Sequence, residues 1–318
     1  MRLKRIIIII NKLEKMSYNV SGLTSYVETN KNVLVKDAVL GGNIKGETLS
    51  MFTKQLGVKT KERLNYLDVD PVLQDGSSCG FSAQGSTVLT DRDIETAVIK
   101  YNDQWCWKDM LGRFSEYQVR INANEDSLPF ESEITDQIVK GINKKVETLI
   151  WQGSKTGGDL INGLVTLATG ADSASTITGT TASGATAYER ILATYMLIPE
   201  AWVDEAVIFV SPAIFRQYAQ DLVAKNFFHY DGENGELTEL FIPGSDVKVR
   251  KTYGLTGVDK IYASVPANMV YACDMLDANE DFKMWYNDED ELVKVKVLFN
   301  AGVATLYPDA VVLTTPAA

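Results

Sequence analysis

Several short stretches hold residue types that could do chemistry. Gly153 and Gly158, in Gly153-Ser154-Lys155-Thr156-Gly157-Gly158, have the spacing of the two glycines of a phosphate-cradling loop. Such a loop needs a Lys and then a Ser or Thr directly after it, because the lysine supplies the charge that holds the phosphates. Asp159 and Leu160 stand there instead, so the stretch reads as a helix end with glycines. Asn287-Asp288-Glu289-Asp290-Glu291 offers carboxylates to a calcium ion, but lacks the central Gly and the terminal Glu spacing of a calcium loop. It reads as a solvated hairpin turn. Asp231-Gly232-Glu233-Asn234-Gly235-Glu236 reads as a Gly-rich turn. The single histidine, His229, follows Phe227-Phe228 and precedes Tyr230. No positioned nucleophile can be named for it, so it reads as a partly buried side chain. One histidine excludes any site that needs two. Cys106, between Trp105 and Trp107, reads as core, and Cys79 as exposed at a turn. The three cysteines, the third being Cys273, form no close pair, which excludes a zinc ribbon and a disulfide framework. No catalytic residue, cofactor or metal emerges, and the expectation is a protein that is not an enzyme.

The elements that would position any site come from a chain of 318 residues, about two domains' worth of material. Hydrophobic residues make up 45%, enough for a sizeable core. The net charge of −11 argues against a broad grip on a phosphate backbone, which needs many Lys and Arg contacts. The charge is uneven. Residues 1–60 hold ten Lys/Arg and four Asp/Glu (+6), and the remainder holds 21 and 38 (−17). The longest aliphatic run, Ile6 to Ile10, is too short for a membrane span or a secretory core. A cytoplasmic protein without signal or anchor is expected. Met16-Ser17 suits a translation start, so residues 1–15 read as an upstream extension, with a basic tail carrying Arg2, Lys4, Arg5, Lys12 and Lys15 as the rival reading.

Residues 17–60 are polar with scattered apolar positions, and read as an extended arm that needs an outside surface to lie on. Residues 61–105 read as a long hairpin. Leu67 and Val69 alternate with Asp68 and Asp70 before Pro71, which suits an edge strand, and three glycines mark the tip between Gln74 and Ser86. Ile134, Ile138, Ile142, Val146, Leu149 and Ile150 predict a helix over 129–151, roughly 33 Å long. Acidic residues early and lysines late complement its dipole. Residues 168–187 are Ala, Thr, Gly or Ser except Asp172 and Ile177, and read as a mobile surface loop. From Tyr188 an α/β alternation follows, with Ser211-Pro212 as N-cap and first residue of a helix. Strands are expected at Phe282 to Tyr286, Leu292 to Phe299, Val303 to Tyr307 and Val311 to Leu313.

This succession resembles the major capsid protein of tailed double-stranded DNA phages, with the Hong Kong 97-type fold. Leu128-Pro129-Phe130-Glu131 through Lys144-Lys145-Val146-Glu147 to Trp151-Gln152-Gly153 is similar to the family's spine helix with its acidic residue and Gly exit. Asn162-Gly163-Leu164-Val165 resembles the segment after that helix. Phe209-Val210-Ser211-Pro212, Val247-Lys248-Val249, and Asn300-Ala301-Gly302-Val303 to Tyr307-Pro308 resemble the axial-domain strand, helix and closing strands.

The resemblance implies an α+β fold in five regions. These are an N-terminal arm (1–60), an extended hairpin loop (61–105), a peripheral domain with the spine helix (106–160), an axial α/β domain (161–290), and C-terminal strands returning to the peripheral domain (291–318). It implies a structural head subunit that assembles with itself into pentamers and hexamers of an icosahedral shell around phage DNA, located in the virion and assembled in the host cytoplasm. Scaffolding, portal and decoration proteins are the further partners implied. Packaged double-stranded DNA would be touched only non-specifically, and no membrane is involved. A nanocompartment shell of the same fold, enclosing a cargo enzyme, is the alternative, and a cytoplasmic α/β enzyme or ligand-binding protein is the more distant one. Assembly-contact candidates are Met51 and Phe52 in the arm, and Asp75, Gly76, Cys79, Gly80 and Phe81 at the hairpin tip. Some family members cross-link through a hairpin lysine. Residues 62–99 contain none, so boiled denaturing gels of mature particles are expected to show monomer and no covalent ladder.

Overall fold

The computed structural model describes residues 20–40, 46–75, 85–106, 130–227, 238–274 and 282–317. In chain order the elements are α1 (Val20–Leu40), β1 (Thr53–Leu56), β2 (Lys61–Asp70), β3 (Ser86–Glu95), β4 (Ala97–Cys106), α2 (Phe130–Gln152), α3 (Leu164–Thr169), β5 (Ile177–Thr181), α4 (Ala187–Leu197), β6 (Val207–Val210), α5 (Pro212–Ala224), β7 (Glu239–Phe241), β8 (Lys248–Lys251), β9 (Ile261–Ser264), β10 (Met269–Asp274), β11 (Phe282–Asn287), β12 (Leu292–Thr305) and β13 (Val312–Pro316). The chain divides into two units. One takes Met1–Asn43, Ile99–Asn143 and Met275–Phe299; the other takes Ile44–Val98, Lys144–Asp274 and Asn300–Ala318.

In the first unit β11 and the first half of β12 form an antiparallel pair in the register Phe282↔Val297 to Asn287↔Leu292. Phe282, Met284, Val293, Val295, Val297 and Phe299 are buried in strict alternation, the mark of a sheet with one covered face. The turn between them is the expected acidic one: Asn287 Nδ2 donates to Asp290 Oδ2 at 2.7 Å, and Lys294 pairs with Asp290. Helix α1 packs on β11. This corrects the extended arm expected over residues 17–60, of which Val20–Leu40 is helical. Its buried side chains, Val27, Leu34 and Ala38, recur at seven and four residues. Buried positions among its described side chains recur without a strict helical period, so the packing partner decides the conformation. Asn143 Nδ2 of α2 donates to the Asp37 carbonyl at 3.0 Å and ties the two helices.

The second unit is built on a six-stranded sheet of order β5-β13-β9-β6-β8-β7. Its central strand, Val207–Val210, is buried on both faces and therefore reads as an unbroken apolar run. Helices α4 and α5 cover the sheet through Ile191, Ile214, Phe215, Tyr218 and Leu222. The second starts where the sequence says it should, and the first is capped within the stretch expected to be a loop. The Thr186 hydroxyl accepts from the Glu189 N–H in a capping box, and the Ser211 hydroxyl accepts from the Ile214 N–H ahead of Pro212. Beside this sheet chain-wise, the second half of β12 pairs antiparallel with β10, and β10 pairs in parallel with β1.

Three expectations change here. Residues 168–187 are not a loop: they hold the end of α3, strand β5 and the α4 cap. The two exceptional residues fasten it, Ile177 in register with Val312 and Asp172 buried. β12 runs unbroken through Asn300-Ala301-Gly302, where two strands were expected. A Cβ at Gly302 would stand 2.2 Å from the Glu95 carbonyl oxygen, so the glycine serves a close backbone approach within a strand. Residues 291–318 do not stay together: β13 joins β5 and β9 in the six-stranded sheet.

Candidate assembly elements

Strands β2 and β3 form a ribbon of only two strands, paired from Lys61↔Glu95 to Asp70↔Ser86. A ribbon of this kind is marginal in water without a further surface. Its root has one. Ile94 is fully buried with Val58, Val270, Ala272 and Ala304, and Leu64 and Leu306 pack against that cluster. Tyr66 meets Tyr307 edge to face at 4.8 Å between ring centroids. On the opposite face of the root the partners are charged: Lys61 pairs with Asp93 at 2.7 Å and Arg63 with Asp91 at 2.9 Å. Such exposed pairs contribute little each. The outer half is different. Val69, Val72, Leu73, Val88 and Leu89 are exposed, Leu73 at 96% and Leu89 at 67%. Among the described residues these are apolar side chains that the ribbon leaves uncovered.

Residues 46–52 carry the chain from the arm into the second unit, and they dock on the end of α2. Trp151 is fully buried there, with ring centroids 6.0 Å from Phe52, 5.1 Å from Phe209 and 5.3 Å from Tyr262. Its indole N–H donates to Thr48 Oγ1 at 2.9 Å and to Glu147 Oε1 at 3.1 Å. Glu147 Oε1 also accepts from the Thr48 backbone N–H at 3.0 Å and from its hydroxyl at 2.5 Å. Glu147 Oε2 is buried with no hydrogen-bond partner among the described residues. Burial pushes this carboxyl up to about 7; the Thr48 hydroxyl opposes the rise and the charge of Glu47 adds to it.

The folded state thus holds the Glu147 proton more tightly than the unfolded chain, whose carboxyl titrates near 4.5. The associated stability is complete below that value and is lost as pH rises to about 7. The expected loss is about 3 kcal/mol. E147Q keeps an acceptor oxygen and cannot ionise, so urea midpoints at pH 5 and pH 8 should differ much less for E147Q than for the unsubstituted chain.

Of the residues singled out in the sequence, Met51 is half-buried and Phe52 is buried against Trp151 of its own chain, so Phe52 has no free ring to lend to a neighbour. Asp75 is exposed at the end of the described hairpin; Gly76, Cys79, Gly80 and Phe81 lie outside the described residues, as do His229 and the 231–236 turn. The Gly153–Gly158 turn has its own occupants. The Ser154 N–H donates to Asp159 Oδ2, the Lys155 N–H to Asn162 Oδ1 and the Gly157 N–H to Ser154 Oγ, so the donors a phosphate would need are taken. Burial pushes the Cys273 thiol up to about 11, away from reactivity. Among the described residues no group of three or more His, Cys, Asp or Glu side chains could hold a metal ion, and no helix is long and apolar enough to cross a membrane. Sequence reasoning missed Thr48, Glu147 and Asp172 as partners. Asp172 carried a signal, as the one charge in a run of small residues.

Comparison with solved structures identifies the fold. The chain is similar to one in the capsid of the native GTA particle (TM-score 0.54, 11% identity, 86% of this chain and 91% of that one). It is similar to a chain of the satellite phage P4 procapsid that includes the size determination (Sid) protein (0.54, 11%, 88% and 96%) and to one from Gordonia phage Cozz (0.56, 10%, 86% and 87%). No protein-family model matches the chain, and no curated protein matches it. The protein has the Hong Kong 97-type fold of phage capsid subunits.

Proposed function

We propose that this chain is the major capsid subunit of a tailed double-stranded DNA phage, and that it assembles with itself into the pentamers and hexamers of an icosahedral head. The observation that carries the reading is the β2–β3 ribbon, anchored at its root and apolar and uncovered in its outer half. Laid on a neighbouring copy, that half would remove apolar surface from water at about 25 cal/mol per Å². A heterologous contact repeated around a closing rotation makes rings, and many such contacts per subunit make modest ones durable together. The similarity to capsid and procapsid chains supports the same reading. The role is structural and needs no catalysis. The acidic body suits a wall that contains DNA without gripping it, in the virion, after assembly in the host cytoplasm. Scaffolding, portal and decoration proteins are the partners this role entails.

The test is negative-stain microscopy with sedimentation of the purified chain, alone and co-expressed with the genes beside its own. Closed particles of uniform diameter are expected. Monomers or small oligomers at every concentration and in both settings would overturn the reading, and particles holding a protein cargo instead of DNA would mark a nanocompartment shell.

A further inference from the structure

Arg92 and Asp172 join the hairpin to the body at a point where a small rotation has a large lever. Arg92 stands on β3, three residues before the strand's last residue, Glu95. Its guanidinium pairs with Asp172 Oδ1, while Asp172 Oδ2 accepts from the Thr305 hydroxyl of β12 at 2.8 Å. Asp172 is buried, and its backbone is fixed as well: its N–H donates to the Leu167 carbonyl and its carbonyl accepts from the Thr176 N–H, both at 2.9 Å. One carboxylate therefore links the hairpin, β12 and the turn after α3. Glu95, three residues along the same strand and so on its opposite face, pairs with Lys155 at 3.0 Å in the open. The strand is held between a buried strut and an exposed one, and the buried one is the stronger constraint. From Arg92 the paired strands run six residues outward to Ser86, roughly 20 Å, so a tilt of about 10° moves that end by about 3.5 Å.

We propose that the Arg92–Asp172–Thr305 linkage sets the angle at which the hairpin leaves the subunit and thereby the curvature of the assembled shell. The inference rests on the shell reading above and adds positioning residues to it. The linkage is separable from folding of the root, because Ile94, Val58, Val270, Ala272 and Ala304 form an apolar cluster without it.

The experiment compares the unsubstituted chain with R92Q, D172N, R92K and K155Q. Thermal melts by circular dichroism report folding, and microscopy reports particle diameter. R92Q and D172N are expected to fold and to assemble into open sheets, tubes or particles of shifted diameter, with the normal-diameter fraction down about tenfold. R92K, which keeps the charge, should recover most of it, and K155Q should stay within twofold of the unsubstituted chain. Folded R92Q and D172N subunits that give the normal diameter distribution would overturn the proposal, and so would R92Q subunits that do not fold. Should only D172N fail to fold, R92Q and R92K decide. If the unsubstituted chain itself forms no closed particle, the shell reading fails, and the proposal falls with it.

Discussion

A subunit lacking residues 74–87 is expected to fold and to form no shells. The deletion removes the hairpin's outer end and leaves Ile94, Leu64 and Tyr66 on their partners at the root. The six-stranded sheet is untouched, because no strand of the ribbon belongs to it. Melting temperature should therefore change by only a few degrees, since surface changes away from the core are usually small. The critical concentration for assembly should rise by two orders of magnitude or more, because Leu73 is then joined straight to Val88 and the strands can no longer present Val69, Leu73, Val88 and Leu89 together to a neighbour. A finer variant, L73S/V88S/L89S, keeps the chain length and removes exposed apolar side chains only. It should act in the same direction, with assembly recovered at higher protein concentration. Sedimentation velocity across a concentration series measures both. Normal shells from the deletion would remove the hairpin from the assembly mechanism.

The largest effect on stability is expected from W151A. The indole fills a fully buried site among Phe52, Phe209 and Tyr262, and holds both Thr48 and Glu147 by its N–H. The chain also passes tightly over its edge. A Cβ at Gly254 would stand 2.1 Å from the indole Cδ1, so a glycine is required there to admit the ring. Truncation to Ala leaves a cavity that such fixed surroundings fill poorly, at a cost of about 3–5 kcal/mol. W151F keeps a ring and loses the donor, at about 1–2 kcal/mol. Urea denaturation of the isolated subunit should rank the unsubstituted chain, W151F and W151A in that order. A W151A midpoint within error of the unsubstituted one would mean that residues 46–52 do not depend on this ring.

These two predictions differ in how far the sequence leads to them. The hairpin is legible because its signals are local: alternation in Leu67-Asp68-Val69-Asp70, then Pro71, then a glycine-rich tip. The same holds for α2, whose apolar residues recur at three and four, and for the cap at Ser211. The site around Trp151 is not legible, because Thr48 and Glu147 are 99 residues apart and each looks like an ordinary surface residue. Phe52 shows the converse. An aromatic residue in a polar arm invites assignment to a neighbour, and the fold spends it on its own core.

By itself, then, the sequence determined which segments would be helix, strand and turn wherever short-range periodicity, capping and glycine placement act within a few residues. Tertiary structure alone decided the helix at Val20–Leu40, the unbroken strand through Gly302, and the burial of Asp172, Glu147 and Phe52. Each of these depends on a partner distant in sequence, and a weak local preference yields wherever burying apolar surface or pairing a charge is worth more than the preference itself.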